Sequence, residues 1–216
     1  MKKRSWIMAT GVTLAMAGLL GVGTASAAGL PSGSGGARSG PEDGGATGIV
    51  QSISASSLTL TTATGVQVTA DEDSATKYKV GNASATVRAV RDGESVLVLG
   101  LVDNSTITAS QIVVQPHGDG GAGQAAKAGV IAFQQGVPSP SKSVGQIPSD
   151  YTEGDGTIVS GTVADKAIAA AQAVVPGGIV DRVVQLADGE YEVHNISINW
   201  PHHVFVSSDF QVLGYE

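Results

Sequence analysis

From Ile49 onward the chain alternates apolar and polar residues with the two-residue period of a half-buried strand. Ile49, Val50 and Ile53 open the pattern. Leu58 and Leu60 then alternate with Thr59 and Thr61, and Val66 and Val68 follow across Ala63-Thr64-Gly65. This spacing predicts a β-meander. Thr76 to Val80 adds a short strand, and Ser95-Val96-Leu97-Val98-Leu99-Gly100 is a continuous apolar run suited to a strand buried on both faces. The alternation Ile107, Ala109 slips phase at Ser110-Gln111 before Ile112 and Val114, which predicts a bulge. An open sheet of about five or six short strands would leave unprotected edges, so a small closed or nearly closed barrel is expected over residues 47–115.

The period changes in the last block, residues 157–216. Ala164, Ala167, Ile168, Ala171, Val174 and Val175 recur at helical spacing, with Thr162 and Asp165 as an N-terminal capping pattern and Pro176-Gly177-Gly178 as the stop. A strand from Ile179 to Leu186, a turn at Ala187-Asp188-Gly189 and a strand from Tyr191 onward read as a hairpin. Val204 to Val206 and Gln211 to Tyr215 pair around Ser207-Ser208-Asp209, giving one helix packed on an antiparallel sheet. The fold class expected for the whole chain is therefore mainly β plus α+β.

Two Gly-, Ser- and Pro-rich stretches frame these blocks. Residues 28–46 and 116–156 read as a disordered spacer and a flexible linker, because they hold too little apolar material for a core. The second contains Val130-Ile131-Ala132-Phe133, an isolated apolar island, and Gly118-Asp119-Gly120-Gly121-Ala122-Gly123. The latter satisfies a dinucleotide-binding pattern but lacks the surrounding crossover unit and the acid that such a site needs. Residues 1–27 read as a signal peptide: Lys2, Lys3 and Arg4 are the charged start, Trp6 to Val22 is largely apolar, and Ala25-Ser26-Ala27 supplies the cleavage site. A secreted protein of the cell envelope or exterior is expected, with no stable membrane insertion after cleavage.

Composition narrows the chemistry. Among 216 residues, 12 Lys and Arg face 19 Asp and Glu, and loss of the three leader cations leaves about −10. With only Lys77, Lys79, Arg88 and Arg91 as basic residues and Tyr78 as the aromatic in block 47–115, that block lacks the basic groove and stacking platform of a nucleic-acid binder. No cysteine is present, so disulfides and thiolate chemistry are excluded. Neither a G-x-S-x-G elbow nor a P-loop occurs. Asp71-Glu72-Asp73 lacks the spaced ligands of a calcium loop and reads as a solvated turn.

Residues Gly48-Ile49-Val50, Ser57-Leu58-Thr59-Leu60, Thr76, Asp92-Gly93-Glu94-Ser95-Val96, Gly100 and Ile107-Thr108-Ala109-Ser110-Gln111-Ile112 resemble a family of bacterial envelope domains of unknown function that form OB-like barrels. Residues 164–171, Pro176-Gly177-Gly178 and Tyr191-Glu192-Val193 resemble the PepSY family. The close differs: Ser207, Ser208, Asp209 and Phe210 stand where that family has an acidic residue and a Thr-Gly turn. The PepSY resemblance implies a non-catalytic module that binds a protein or peptide, plausibly restraining a secreted peptidase. A structural or adhesive envelope component is the alternative reading, and a histidine-dependent metal-binding protein is the third.

Four residues are the candidate partner-binding set: Trp200, His202, His203 and His194. Antiparallel pairing can bring His194 near one of the other two histidines, and imidazole is a common zinc or copper ligand. Adjacent strand residues point to opposite faces, so His202 and His203 are not expected to share an ion. The site expectation therefore contains no catalytic residue, no cofactor and no metal.

Overall fold

The period-two segments fold as strands β1 (Glu42–Ile53), β2 (Ser57–Thr61), β3 (Gln67–Asp71), β4 (Lys77–Val80), β5 (Ala83–Ala85), β6 (Ser95–Asp103) and β7 (Thr106–Val114). The computed structural model describes residues 41–116, 143–149, 151–198 and 200–216, all within one compact unit that spans Ser32–Glu216. The leader, most of the first spacer, residues 118–123 and the island 130–133 lie outside the described residues.

The barrel closes through five pairings. β1 lies between β2 and β6, β2 pairs β3, and β7 bridges β6 on one side and β3, in parallel, on the other. β4 continues along the same side of β7 and carries β5. The phase slip becomes a bulge: Gly100 faces Ala109 while Leu99 faces Gln111, which leaves Ser110 as the extra residue. Its hydroxyl donates to the Leu99 carbonyl at 3.2 Å. Val50, Leu58, Leu60, Val68, Val96, Val98, Ile107 and Ile112 fill the interior.

The remaining elements are β8 (Val144–Gly145), β9 (Thr157–Ile158), α1 (Gly161–Val174), β10 (Ile179–Gln185), β11 (Tyr191–Asn195), β12 (His203–Val206) and β13 (Val212–Tyr215). β10 to β13 form an antiparallel run with β8 on its outer edge and β9 beside β10. Ala164, Ala167, Ile168, Ala171 and Val174 of α1 pack on Val183, Tyr191, Val193, Val204 and Val206. The helix starts two residues earlier than its capping pattern suggests. Ser160 is the N-cap and makes no side-chain capping bond, so Thr162 sits inside the first turn.

The two blocks form one sheet. β1 pairs β10 through Gly45↔Val180 and Ala46↔Ile179, joining thirteen strands. Residues 42–46, expected as spacer, are therefore strand, and their glycines answer a steric need. A Cβ on Gly44 would collide with the Val180 carbonyl, and one on Gly45 would meet the Val98 carbonyl at 2.5 Å and Ile168 at 3.3 Å. β8 likewise turns part of the expected linker into sheet. The interiors interlock as well. Val96 and Val98 of β6 face the barrel while Leu97 and Leu99 face α1, and Ile179 of β10 packs into the barrel. The double burial expected of the 95–100 run has this cause.

Candidate metal centre

Strand alternation divides β11 between two environments. Tyr191 and Val193 point toward α1, and Glu192 and His194 occupy the other face. The β11–β12 register sets His194 opposite His203 and Glu192 opposite Phe205, which extends that face onto β12. From β10 come Asp181 and Arg182, at a break in register where Arg182 faces His194. The result is a sheet face with buried Asp181, Arg182, Glu192, His194 and His203.

His202 joins them from just outside β12. Because it precedes the strand, the alternation rule does not separate it from His203, and the expectation that the two rings point to opposite faces is corrected. Ring centroids lie 4.4 Å apart for His194–His202, 4.9 Å for His202–His203 and 5.2 Å for His194–His203. One ligand atom from each imidazole lies within 4.8 Å of the other two.

Each ring has a partner at Nδ1. His194 Nδ1 lies 2.5 Å from Asp181 Oδ1, His202 Nδ1 lies 3.2 Å from the Ile198 carbonyl, and His203 Nδ1 lies 3.1 Å from the Tyr151 hydroxyl. A proton on Nδ1 donated to such a partner leaves the Nε2 lone pair for a metal, the usual outer-shell arrangement of metal-binding histidines. His203 Nε2 is buried without a hydrogen-bond partner among the described residues.

Burial keeps two of the rings neutral. Desolvation, reinforced by the neighbouring His202, His194 and Arg182, lowers the His203 pKa to about 3. Desolvation and His194 also lower that of His202, against the opposing pull of the Ile198 carbonyl. Burial raises the Glu192 carboxyl, with Arg182 acting the other way. The Tyr151 phenol is raised by burial and then by Glu192, so it stays protonated over the neutral range. Its ring meets Phe205 edge-on at 4.7 Å and His203 at 5.8 Å. Tyr151 also lines a cavity of about 470 Å³ with Asp155, Gly156, Thr157, Gln185, Leu186 and Ala187, and so stands between that hollow and His203.

The expected contact corner is different in character. Trp200 is 4 % exposed and packs at 65° against Tyr215 with centroids 5.6 Å apart, so it closes the core and offers no ledge. His194 and His203 are buried too, and only His202 of the four is partly exposed. Sequence reading missed Asp181, Glu192 and Tyr151. The alternation of β11 carried a signal for Glu192, which shares a face with His194. Asp181 sits at a register break, and Tyr151 lies in a segment read as linker.

No family model, curated protein or solved structure matches this chain. Among the described residues, no helix is long and apolar enough to cross a membrane.

Proposed function

We propose that this chain is a non-catalytic metal-binding protein that works outside the cytoplasm, holding one divalent transition-metal ion on His194, His202 and His203. The observation that carries the reading is the convergence of three imidazoles whose ligand atoms lie within 4.8 Å of one another, each with Nδ1 engaged by a separate group. Such a donor set suits zinc or copper. The leader-like residues 1–27 support the location.

The PepSY-like reading of the second block draws support from α1 lying on the antiparallel run of β10 to β13, and from a positive φ at Phe210, where that family turns on glycine. Metal binding gives such a regulatory module a concrete ligand. A peptidase-restraining role through Trp200 loses its anchor, because that indole is buried. Titration of the purified mature chain with Zn²⁺, followed by metal analysis, tests the proposal. One ion per chain is expected, lost in His194→Ala and His202→Ala. Equal binding by the parent and by a folded variant lacking all three imidazoles would exclude the site.

A further inference from the structure

His202 and His203 are neighbours in sequence, and a regular strand would turn their side chains to opposite faces. Their main-chain hydrogen bonds give the reason the rings stay together. In a regular strand successive N–H groups also point to opposite sides, so only one of two neighbours reaches a given flanking strand. Here both reach the same atom. The His202 N–H donates to the Glu216 main-chain oxygen at 2.6 Å, and the His203 N–H donates to it at 2.9 Å. The Glu216 N–H returns a bond to the His203 carbonyl at 3.0 Å. Two residues therefore oppose one residue just beyond the end of β13, which is the pairing of a β-bulge.

The His202 carbonyl faces the other way. It accepts from the Asn195 N–H at 2.8 Å and from Asn195 Nδ2 at 3.3 Å, on the β11 side. A regular strand residue exchanges its N–H and C=O with one neighbour, whereas His202 is drawn toward Glu216 by the first and toward Asn195 by the second. That twist leaves the His202 and His203 ring centroids 4.9 Å apart, and bulges re-aim side chains in this way beside functional sites.

We propose that Glu216 is a positioning residue of the metal centre, its main-chain oxygen holding the bulge that sets His202 beside His203. The inference rests on the three-histidine reading above. The Glu216 carboxylate plays no part in it: Oε1 lies 4.0 Å from His203 Nδ1, which the Tyr151 hydroxyl engages at 3.1 Å.

A mature chain ending at Tyr215 lacks that oxygen and tests the proposal. Zinc titration against a competing chelator should give an affinity about tenfold or more below the parent. Proton–nitrogen correlation spectra of the imidazoles should show zinc shifting His194 and His203 but no longer His202, a signature that a general loss of stability does not produce. Glu216→Ala returns the main-chain oxygen without the carboxylate, and it should recover affinity to within about threefold of the parent. Parent-like zinc affinity in the shortened chain, or no recovery in Glu216→Ala, would overturn the role of Glu216 and leave the three-histidine site standing. Absence of zinc binding by the parent would overturn both. A crystal structure of the unmodified chain with zinc covers the case of a shortened chain that does not fold. Both N–H groups on the Glu216 oxygen with both rings on the ion supports the proposal, and a His202 ring on the ion with its N–H turned away from Glu216 refutes it.

Discussion

His194 and Asp181 are joined at 2.5 Å between Nδ1 and Oδ1, and both side chains are buried. The carboxylate holds the proton on Nδ1 and orients the ring, so Nε2 is presented to an ion without searching for the right tautomer. Asp181→Ala should lower zinc affinity by about 10- to 100-fold, and Asp181→Asn, which keeps an acceptor oxygen but loses the charge, should lower it less. Chelator competition at neutral pH, with circular dichroism to establish that both variants fold, checks the order.

The turn after α1 is tied to the barrel at Gly177, whose carbonyl accepts a hydrogen bond from Thr64 Oγ1 at 3.2 Å. Gly177 has no positive φ, but a Cβ there would run into Thr64 Cγ2. Gly177→Val should therefore destabilise by about 1 to 3 kcal/mol through overpacking. Thr64→Gly in the same chain should recover part of the loss. Urea unfolding of the two single variants and the double variant measures the coupling, and no recovery would mean the clash lies elsewhere.

Because β1 pairs β10 and the two cores exchange Leu97, Leu99 and Ile179, the blocks should unfold together. Fluorescence and far-ultraviolet dichroism should give coincident transitions. Cleavage at any bond between Pro116 and Ser143 should leave two pieces that elute as one species, since the β1–β10 ladder does not depend on that connection. Separation of the pieces under native conditions would contradict the shared core.

Asp165, at the start of α1, lines a cleft of about 270 Å³ with Asp43, Lys77 and Gly44. Burial raises its pKa, Asp43 adds to the rise, and Lys79 and Lys77 oppose it. Between its ordinary value of 3.8 and the raised folded value, the folded chain binds more protons than the unfolded one, so this residue makes stability fall as pH climbs through that window. Asp165→Asn should accordingly raise Tm at pH 7 and leave it nearly unchanged at pH 3. Thermal melts at the two pH values check the difference.

Local periodicity determined much of this protein. Alternation placed β2, β3 and β7, a continuous apolar run placed β6, the phase slip at Ser110 located the bulge, and the apolar spacing from Ala164 to Val174 defined α1, because a side chain's face is set by strand or helix geometry over a few residues. Glu42 to Ala46 read as spacer because their glycines carry no hydrophobic signal. They are strand because Val98, Ile168 and Val180, distant in sequence, close on the backbone from several sides. The candidate centre was legible only in its three histidines, for the same reason. Its chemistry needs His202 placed outside the β12 alternation, Asp181 turned inward at a register break and Tyr151 brought over Phe205, and each of those positions is decided by long-range pairing that no local pattern encodes.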